Sequence, residues 1–388
     1  GYSARGQGYL NDLWRWDGAS WTWVSGADFE GQAGFYGTKG VAAPTNVPGA
    51  RSGATSWTDA SGNLWLFGGV DDLYEQSLRN DLWRWDGATW TWVSGSQNPG
   101  DPGRYGTKGV PESSNVPPCR HDAASWTAAD GTLWLFGGNG WPVAPGAVLN
   151  DLWRWDGSSW TWMSGAKDSQ VDGYFGALGV PAPANTPSGR ASPAAWVDGD
   201  GHFWLFGGTN YSYYRHLSDL WRWDGQFWTW MAGSSRPLDG GTSGTLGVAA
   251  PGNSPGARYG ATAWTDQNGQ IWLHGGYGYG FRNDLWRFDG VNWAWMGGAA
   301  TPNEAGLYGT IGVPSPANTP GGRRRSASWA DAQGRFWLFG GRGLDSTVAN
   351  GTLRDLWTYE PLACTPPQAS IAAPDSVPAG SGPHVASV

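Results

Sequence analysis

The tripeptide Asp-Leu-Trp recurs along the chain at nearly constant spacing, and this repeat restricts the fold more than any other feature. It begins at Asp12, Asp81, Asp151, Asp219, Asp284 and Asp355. The intervals between these positions are 69, 70, 68, 65 and 71 residues. A unit that recurs at a fixed period is one supersecondary structure that buries its faces against its neighbours. The chain is therefore predicted to be a repeat protein.

One repeat, residues 51–95, holds four short runs of aromatic and β-branched residues bounded by Gly and Asp. Such runs predict β-strands, here named a, b, c and d, and the short Asp- and Gly-containing segments between a and b and between c and d predict hairpin turns. No segment has a convincing helical period with caps. A four-stranded antiparallel unit that repeats predicts an all-β propeller, in which each unit is one blade.

The motifs resemble the kelch-repeat family. Strand b ends in Gly-Gly in all five copies (Phe67-Gly68-Gly69, Phe136-Gly137-Gly138, Phe206-Gly207-Gly208, His274-Gly275-Gly276 and Phe339-Gly340-Gly341), and aromatic residues follow in strands c and d. The resemblance implies a kelch-type β-propeller of four-stranded antiparallel blades. The period near 70 exceeds the roughly 50 residues usual for kelch repeats, and the excess lies between strand d and the next strand a.

Six strand-c motifs accompany five complete a–b pairs, so we expect six blades, with five or seven as alternatives. The propeller is predicted to occupy residues 1–361, with its first blade lacking the upstream strands. Residues 362–388 are predicted to be a linker and the start of a module that resembles an immunoglobulin-like or PKD-like domain. Together these features indicate a bacterial protein that is extracellular or lies at the cell surface.

Composition excludes several classes of protein. The chain has 31 Trp and 64 Gly in 388 residues, and its net charge is −8. This acidity disfavours nucleic-acid partners, because phosphate is repelled. No apolar run approaches the roughly 20 residues that a membrane helix needs, so we expect no membrane span in this segment.

The alternating strands place the b–c loops and the d–a connections on one face, and all length variation falls in the b–c loops. These loops are rich in Tyr, Trp and Arg, which are enriched at binding hot spots, and exposed aromatic rings also stack on sugars. The alternative is that these rings pack on the d–a connection. The candidate ligand-binding residues in these loops are Trp141, Tyr211, Tyr213, Tyr214, Arg215, Tyr277 and Tyr279.

A second candidate set is the Arg that opens strand a in every complete copy: Arg51, Arg120, Arg190, Arg258 and Arg323. The kelch resemblance implies that this Arg lies near the mouth of the central pocket, where guanidinium groups could grip carboxylates in pairs of hydrogen bonds. The alternative is that each Arg pairs with an Asp or a backbone carbonyl between blades. The d–a connection also contains a recurring sequence motif, which begins Tyr36-Gly37-Thr38-Lys39-Gly40-Val41 in the first copy, and its length is constant. We therefore expect an ordered element, either structural or a repeated ligand site.

No catalytic residues are expected. The five His occupy unrelated repeat positions, and no nucleophile elbow, phosphate loop or HExxH motif is present. Asp198-Gly199-Asp200-Gly201 has the oxygen ligands that Ca²⁺ prefers but is also an ordinary hairpin turn, so we expect no metal and no cofactor. The sequence thus predicts a non-catalytic binding or adhesion module for a glycan or a protein. A building unit of a self-assembling surface fibre is the alternative, and a carbohydrate-active or oxidase enzyme comes third.

Overall fold

The computed structural model describes residues 8–71, 77–140, 147–210 and 215–361. Within these ranges the chain forms strands, turns and loops and contains no helix. The all-β prediction is confirmed there. The predicted linker and module at 362–388 lie outside the described residues.

The strands form a hairpin followed by five blades. The hairpin pairs β1 (Leu13–Trp16) with β2 (Trp21–Ser25). Blade 1 contains β3 (Thr55–Thr58), β4 (Leu64–Val70), β5 (Leu78–Trp85) and β6 (Trp90–Ser94). Blade 2 contains β7 (Arg120–His121), β8 (Ala124–Thr127), β9 (Leu133–Gly140), β10 (Val148–Trp155) and β11 (Trp160–Ser164).

Blade 3 contains β12 (Ala194–Val197), β13 (Phe203–Phe206), β16 (Leu220–Trp223) and β17 (Trp228–Ala232), and its b–c connection carries the short pair β14 (Thr209–Asn210) and β15 (Arg215–His216). Blade 4 contains β18 (Thr262–Thr265), β19 (Ile271–His274), β20 (Leu285–Phe288) and β21 (Trp293–Gly297). Blade 5 contains β22 (Arg323–Arg324), β23 (Ala327–Ala330), β24 (Phe336–Leu344) and β25 (Asn350–Tyr359).

In blades 1 to 4 the strands follow the order a, b, c, d with antiparallel neighbours, as predicted, and the described part of blade 5 holds strands a, b and c. The register is the same from blade to blade: the strand-a Trp lies opposite the strand-b Trp, as in Trp57 and Trp65. A bulge between Leu82 and Trp83 interrupts the c–d pairing of blade 1. The same bulge recurs in blades 2, 3 and 4. The periodic sequence therefore builds nearly identical sheets.

The prediction of six blades is wrong, since the structure is a five-bladed propeller. Six was inferred from the six strand-c motifs, but the first of these forms only the two-stranded hairpin β1–β2. No a–b strands accompany it among the described residues. An a–b pair is therefore the better count of blades, because a strand-c motif also occurs in the hairpin, where β1 pairs only with β2 among the described residues.

The chain divides into two compact units. One comprises Gly1–Thr242 with Ser254–Tyr259 and holds the hairpin and blades 1 to 3. The other comprises Ser243–Asn253 with Gly260–Val388 and holds blades 4 and 5.

Within each unit the core lies between the faces of neighbouring blades. In the first unit, Trp57, Trp65 and Phe67 of blade 1 pack with Trp155 and Trp160 of blade 2. The Trp57 indole also donates to the carbonyl of Trp134 in blade 2, at 3.0 Å. In the second unit, side chains of blades 4 and 5 form one such cluster. Large aromatic side chains bury much area per residue, which explains how short strands sustain a core in a chain with few aliphatic residues.

The Gly-Gly pair at the end of strand b is a point of close backbone approach. Gly137 has φ +66°, and a Cβ placed there would lie 2.7 Å from the carbonyl oxygen of Arg190 in the next blade. The next residue, Gly138, donates its N–H to that same carbonyl at 2.8 Å. Gly fits here because it adopts a positive φ without strain and has no Cβ to clash with that carbonyl. The motif that indicated the family thus serves the junction between blades.

Candidate interaction surface

The Asp that opens each strand-c motif is the centre of a buried hydrogen-bond cluster. In blade 1, the Asp81 carboxylate accepts two bonds from Arg51, at 2.7 and 2.8 Å. It also accepts the Trp83 indole N–H and the Tyr36 hydroxyl, both at 2.7 Å. Tyr36 belongs to the connection before strand a. The cluster therefore fixes this connection to the sheet that follows it.

The five predicted arginines are all buried. The guanidinium groups of four form buried ion pairs with the strand-c Asp: Arg51 with Asp81, Arg120 with Asp151, Arg190 with Asp219 and Arg323 with Asp355. Each of these four also donates to the first carbonyl of its own Gly-Gly pair, at 2.8 to 3.1 Å. Arg258 donates to the carbonyl of Gly256. The alternative to a ligand contact was pairing between blades, but these pairs lie within one blade. A ligand contact for these arginines stays a prediction.

Electrostatics explains why these pairs are stable as ions. Burial by itself would raise the pKa of the Asp81 carboxyl, but the Arg51 guanidinium and the bonds from Trp83 and Tyr36 outweigh burial and hold the pKa below its ordinary value. Burial and the neighbouring Asp81 charge raise the pKa of the Tyr36 hydroxyl, so this group stays protonated. The cluster is a permanently charged, fully hydrogen-bonded structural element.

The connections between strand d and the next strand a are ordered, as predicted, and we call them the inserts. Each of the first four inserts packs on strand d of the blade that follows it. In the first insert, Gly40 donates its N–H to the carbonyl of Trp92 at 2.7 Å, and the Asn46 amide donates to the carbonyl of Trp90 at 3.1 Å. Equivalent pairs of bonds join the next three inserts to blades 2, 3 and 4. The inserts are therefore rigid parts of the blades.

Each of the five inserts has an outward turn that exposes a Val. The turn is closed by a bond from the Val N–H to the carbonyl three residues earlier, as from Val41 to Thr38 at 3.0 Å. The exposed valines are Val41, Val110, Val180, Val248 and Val313, whose exposed fractions lie between 42% and 53%. We call these turns the insert tips. Sequence reasoning recorded the repeated Gly-Val but did not predict that its side chain faces solvent.

The residue two positions before this Val divides the tips into two groups. In the first two it is Lys, and the Lys39 and Lys108 amines lie over the Trp92 and Trp162 rings, 4.3 Å from each centroid. In the other three it is Leu178, Leu246 or Ile311, and each of these side chains is more than half exposed. Three tips thus present a pair of aliphatic side chains on a fixed backbone.

The described parts of the b–c loops lie beside the inserts. A backbone bond from an insert to a strand-c or loop carbonyl recurs in four blades, for example from Leu238 to His216 at 2.8 Å and from Asn303 to Phe281 at 2.7 Å. The inference that both connections share one face is consistent with these contacts. Each of these inserts therefore lies beside the b–c loop of the blade that precedes it.

The predicted b–c loop residues fall into two sets. Trp141, Tyr211, Tyr213 and Tyr214 lie outside the described residues. Arg215 is exposed, and Tyr279 is 58% exposed with φ +56°. Tyr277 is half-buried, packs edge-on against Phe281 with ring centroids 5.1 Å apart, and has the Arg324 guanidinium 5.3 Å from its centroid. Of the described loop residues, Tyr279 and Arg215 are thus accessible to a ligand.

A cavity of about 520 Å³ lies between the first insert and the b–c connection of blade 1. Its lining includes Gln32, Tyr36, Asp71, Arg79 and Asn98. The Arg79 guanidinium is already bonded to the Asp71 carboxylate and, at 2.7 Å, to the carbonyl of Gln97. The charges of this cavity are therefore paired within the protein.

The Asp198 turn is the one place among the described ranges where three candidate metal ligands converge, namely Asp198, Asp200 and His202. The Asp198 carboxylate accepts bonds from the N–H groups of Asp200 and His202 and from the Trp204 indole, at 2.7 to 3.0 Å. Asp59 makes the same bonds in the a–b turn of blade 1. The Asp198 carboxylate thus stabilises a hairpin turn. The Asp59 carboxylate does the same in blade 1, whose turn lacks the counterparts of Asp200 and His202.

In the described part of the chain, no helix is long and apolar enough to cross a membrane. Residues 37–245, more than half of the chain, match the sequence model of the KLHDC2/KLHL20/DRC7 Kelch-repeats domain. The chain is 26% identical over 184 residues to Kelch domain-containing protein 3 of Bos taurus, an alignment that covers 47% of this chain and 41% of that protein. It therefore spans less than half the length of that relative.

The fold is also similar to a solved structure described as "Structure of YjhT". The TM-score is 0.54 at 14% sequence identity, and the alignment covers 89% of this chain and 87% of the other. An identity this low supports a likeness of fold alone.

Proposed function

Because this chain belongs to the KLHDC2/KLHL20/DRC7 kelch-repeats domain family, we propose that it is a non-catalytic protein-binding module whose binding surface is made by the insert tips. A kelch propeller is a protein-binding scaffold, and propellers of this family are generally binding domains. The proposal goes further in naming the surface. Its partner is a protein segment with aliphatic or aromatic side chains.

The exposed Val of every insert tip is the observation that carries this proposal. A single exposed apolar side chain on a surface needs no explanation. Here the same position is apolar and exposed in five copies, and three copies add Leu178, Leu246 or Ile311 beside it. The core does not require these side chains, since they point away from it. An ordered apolar tip loses little conformational entropy when a partner covers it, so it is well suited to binding.

The test compares insert tips with an exposed Val elsewhere. The binding variant carries Leu246→Asp, Val248→Asp, Ile311→Asp and Val313→Asp, all in one compact unit. The matched control is Val291→Asp, because Val291 lies in the c–d turn of blade 4 and is 76% exposed. Both proteins are probed with a displayed library of random 12-residue peptides and with a glycan array.

We expect apolar peptides that bind the wild type and the Val291→Asp control equally and bind the tip variant at least tenfold more weakly. Thermal unfolding of the three proteins checks that they are equally folded. Peptides that ignore the tip substitutions would contradict the proposed surface. A signal on the glycan array alone would contradict a protein partner.

A glycan ligand on the b–c loops is the second candidate, and the exposed ring of Tyr279 favours it. A Tyr face stacks on a sugar ring, and the Tyr hydroxyl can exchange hydrogen bonds with sugar hydroxyls. A glycan that binds the wild type and is lost in Tyr279→Ala, but not in the tip variant, supports this candidate. An adhesion role at an extracellular or cell-surface location remains a proposal supported by the sequence features described above.

A further inference from the structure

Two of the three lysines in the chain lie against one tryptophan of blade 2. The Lys108 amine lies over the Trp162 ring, 4.3 Å from its centroid, and donates to the carbonyl of Gly165 at 2.9 Å. The Lys167 amine lies 5.1 Å from the centroid of the same ring. The two nitrogens therefore cannot be farther apart than the sum of these two ring distances. One indole thus holds two positive charges.

These two charges lack an acidic partner in the described part of the chain. Neither amine forms an ion pair there, although Asp168 follows Lys167 in the sequence. Burial and, after it, the like charge of Lys167 hold the pKa of the Lys108 amine below its ordinary value. Both causes disfavour the charged amine. An anion between the two nitrogens would counter the repulsion and accept hydrogen bonds from both.

Blade 1 has the same arrangement with a single lysine. The Lys39 amine lies 4.3 Å from the centroid of Trp92 and donates to the carbonyl of Gly95 at 2.7 Å. These contacts reproduce those of Lys108 in blade 2. The two places can therefore be compared residue by residue.

The charges beside the two amines are opposite in sign. Two positions after the glycine that accepts the amine, blade 1 has Gln97 and blade 2 has Lys167. Six positions after it, blade 1 has Asp101 and blade 2 has Val171. The Asp101 charge raises the pKa of Lys39 and opposes the larger effect of burial. Blade 2 thus has an apolar residue in place of this acid and a second cation in place of an amide.

We propose that Lys108 and Lys167 form a binding site for a phosphate group. Each ammonium has three N–H donors, and Lys108 uses one of them for the Gly165 carbonyl, so donors remain on both for phosphate oxygens. A phosphate monoester carries about −1.5 to −2 charges at pH 7, which matches two ammonium groups. A carboxylate or a sulfate monoester carries one negative charge and would leave half of the positive charge unpaired. Lysine is a common phosphate binder because its ammonium acts as a point charge.

The backbone that carries Lys108 is fixed, and aromatic rings hold both amines. Gly109, the residue after Lys108, donates its N–H to the Trp162 carbonyl at 2.8 Å. The Tyr105 ring lies edge-on to the Trp162 ring, with centroids 5.2 Å apart, and the Lys167 amine is 5.9 Å from the Tyr105 centroid. Contacts with these rings restrict both flexible side chains before a ligand arrives, so binding costs less side-chain entropy.

The phosphate site does not depend on the proposed protein-binding function, because the two amines suffice to bind the group. The phosphate could belong to a small phosphorylated compound or to a modified side chain of a protein partner. Val110, the exposed valine of the same insert tip, lies two positions after Lys108. A phosphorylated peptide with apolar neighbours would contact this valine as well, whereas a small compound would not.

NMR of the full chain labelled with carbon-13 at the lysine Cε is the first experiment, because three lysines give three signals. Substitution of each lysine by Gln assigns these signals. Sodium phosphate is added at pH 7.5 and constant ionic strength, with sodium chloride as the balancing salt. We expect saturable shifts for Lys108 and Lys167 and none for Lys39. Bound phosphate should also raise the pKa of Lys108.

Two sets of variants place the site. Lys167→Gln gives blade 2 the uncharged residue of blade 1, and the affinity that the Lys108 signal reports should fall about tenfold or more, the effect of one charge-assisted hydrogen bond. The reverse exchange, Gln97→Lys with Asp101→Asn, gives blade 1 the second amine and removes its acid. The Asn keeps an acceptor for the backbone N–H that bonds to Asp101. We expect the Lys39 signal to gain a saturable response to phosphate.

Further ligands identify the chemistry and the source of the group. Methyl phosphate should bind at least tenfold more tightly than methyl sulfate, since the two esters are similar in size and differ in charge. A peptide Ala-Leu-phosphoserine-Leu-Ala that binds more tightly than phosphoserine, and loses this advantage in Val110→Ser, assigns the group to a protein partner. Equal affinities assign it to a small compound.

The proposal is overturned if phosphate leaves the Lys108 and Lys167 signals unchanged or shifts that of Lys39 equally. It is also overturned if Lys167→Gln, melting at the wild-type temperature, keeps the wild-type affinity. Methyl sulfate that binds as tightly as methyl phosphate would contradict the choice of a phosphate group. Binding of apolar peptides to the insert tips does not enter these measurements, so this site and the proposed function can fail separately.

Discussion

Tyr105 donates its hydroxyl proton to the Asp151 carboxylate over 2.7 Å, and Phe175 takes the corresponding place in the next insert without a hydroxyl. The ring positions match closely: Tyr105 lies 4.9 Å from Trp153, and Phe175 lies 5.0 Å from Trp221. The Asp219 carboxylate still accepts Arg190 and Trp221. Blade 3 thus tolerates the loss of one bond in a cluster that is otherwise retained.

This comparison predicts opposite effects for two reciprocal substitutions. Phe175→Tyr places a hydroxyl beside Asp219 and should stabilise the protein by about 1 kcal/mol. Tyr105→Phe removes a bond to a buried carboxylate and should cost about 1.5–3 kcal/mol. Denaturant unfolding measures both. A loss of stability in Phe175→Tyr would show that the insert of blade 3 does not place its ring as that of blade 2 does.

Removing one partner of a buried ion pair should be far more costly than removing an exposed charge. Asp151→Asn leaves the Arg120 guanidinium buried without its counterion, for which we expect a loss of about 3–5 kcal/mol. Asp156→Asn, in the neighbouring c–d turn, is the control and should cost about 1 kcal/mol, because it removes bonds in an exposed turn. Equal free energies of unfolding for the two variants would refute a structural role for the pair.

The Gly-Gly junction predicts a difference between two glycines that both have positive φ. Gly157, in a c–d turn, has φ +97° and open space around it, so Gly157→Ala pays only for backbone strain, about 1 kcal/mol. Gly137→Ala adds a Cβ 2.7 Å from the Arg190 carbonyl and should cost at least about 2 kcal/mol more. The difference in melting temperature between the two variants measures the cost of the contact between the added Cβ and the Arg190 carbonyl. Equal melting temperatures would mean that the blades separate there without cost.

Alkaline pH should destabilise the protein through the insert tyrosines. Burial and the hydrogen bond to the Asp355 carboxylate raise the pKa of Tyr308 from 10.0 to about 12, and burial beside Asp81 and Asp151 also raises the pKa values of Tyr36 and Tyr105. Above pH 10 the unfolded chain releases these protons while the folded chain keeps them. The contribution of Tyr308 is therefore full below pH 10 and is lost as the pH rises through about 12, and those of Tyr36 and Tyr105 also begin to fall above pH 10 only as these hydroxyls ionise in the folded chain.

The variant Tyr36→Phe, Tyr105→Phe and Tyr308→Phe tests this dependence, and Phe175 is the natural precedent for the substitution. The free energy of unfolding in urea should fall less between pH 9 and pH 11.5 in the variant than in the wild type. Tyr279→Phe, at an exposed position, should retain the wild-type slope. A slope unchanged in the triple variant would mean that other groups cause the alkaline loss.

The sequence specified the four-stranded unit because its cues are local. The Trp spacing, the Asp-Gly turns and the Gly-Gly pair each depend on residues within one blade or on a backbone contact that permits only Gly. Such local cues do not identify the partner of a side chain that could meet either of two groups. Arg120 could face a ligand or Asp151, and these residues are 31 positions apart in sequence, so only the fold shows that they meet.

What the sequence determined by itself is the repeat: an all-β chain of antiparallel blades with constant turns and ordered inserts, since short-range patterning fixes strand, turn and register. The tertiary structure decided three things that involve neighbouring elements. It gave five blades, because the first of the six strand-c motifs forms only a hairpin. It placed the Arg side chains in buried pairs, and it turned the insert valines outward. Each depends on which surfaces are covered by another part of the chain, and no pattern within one repeat records that.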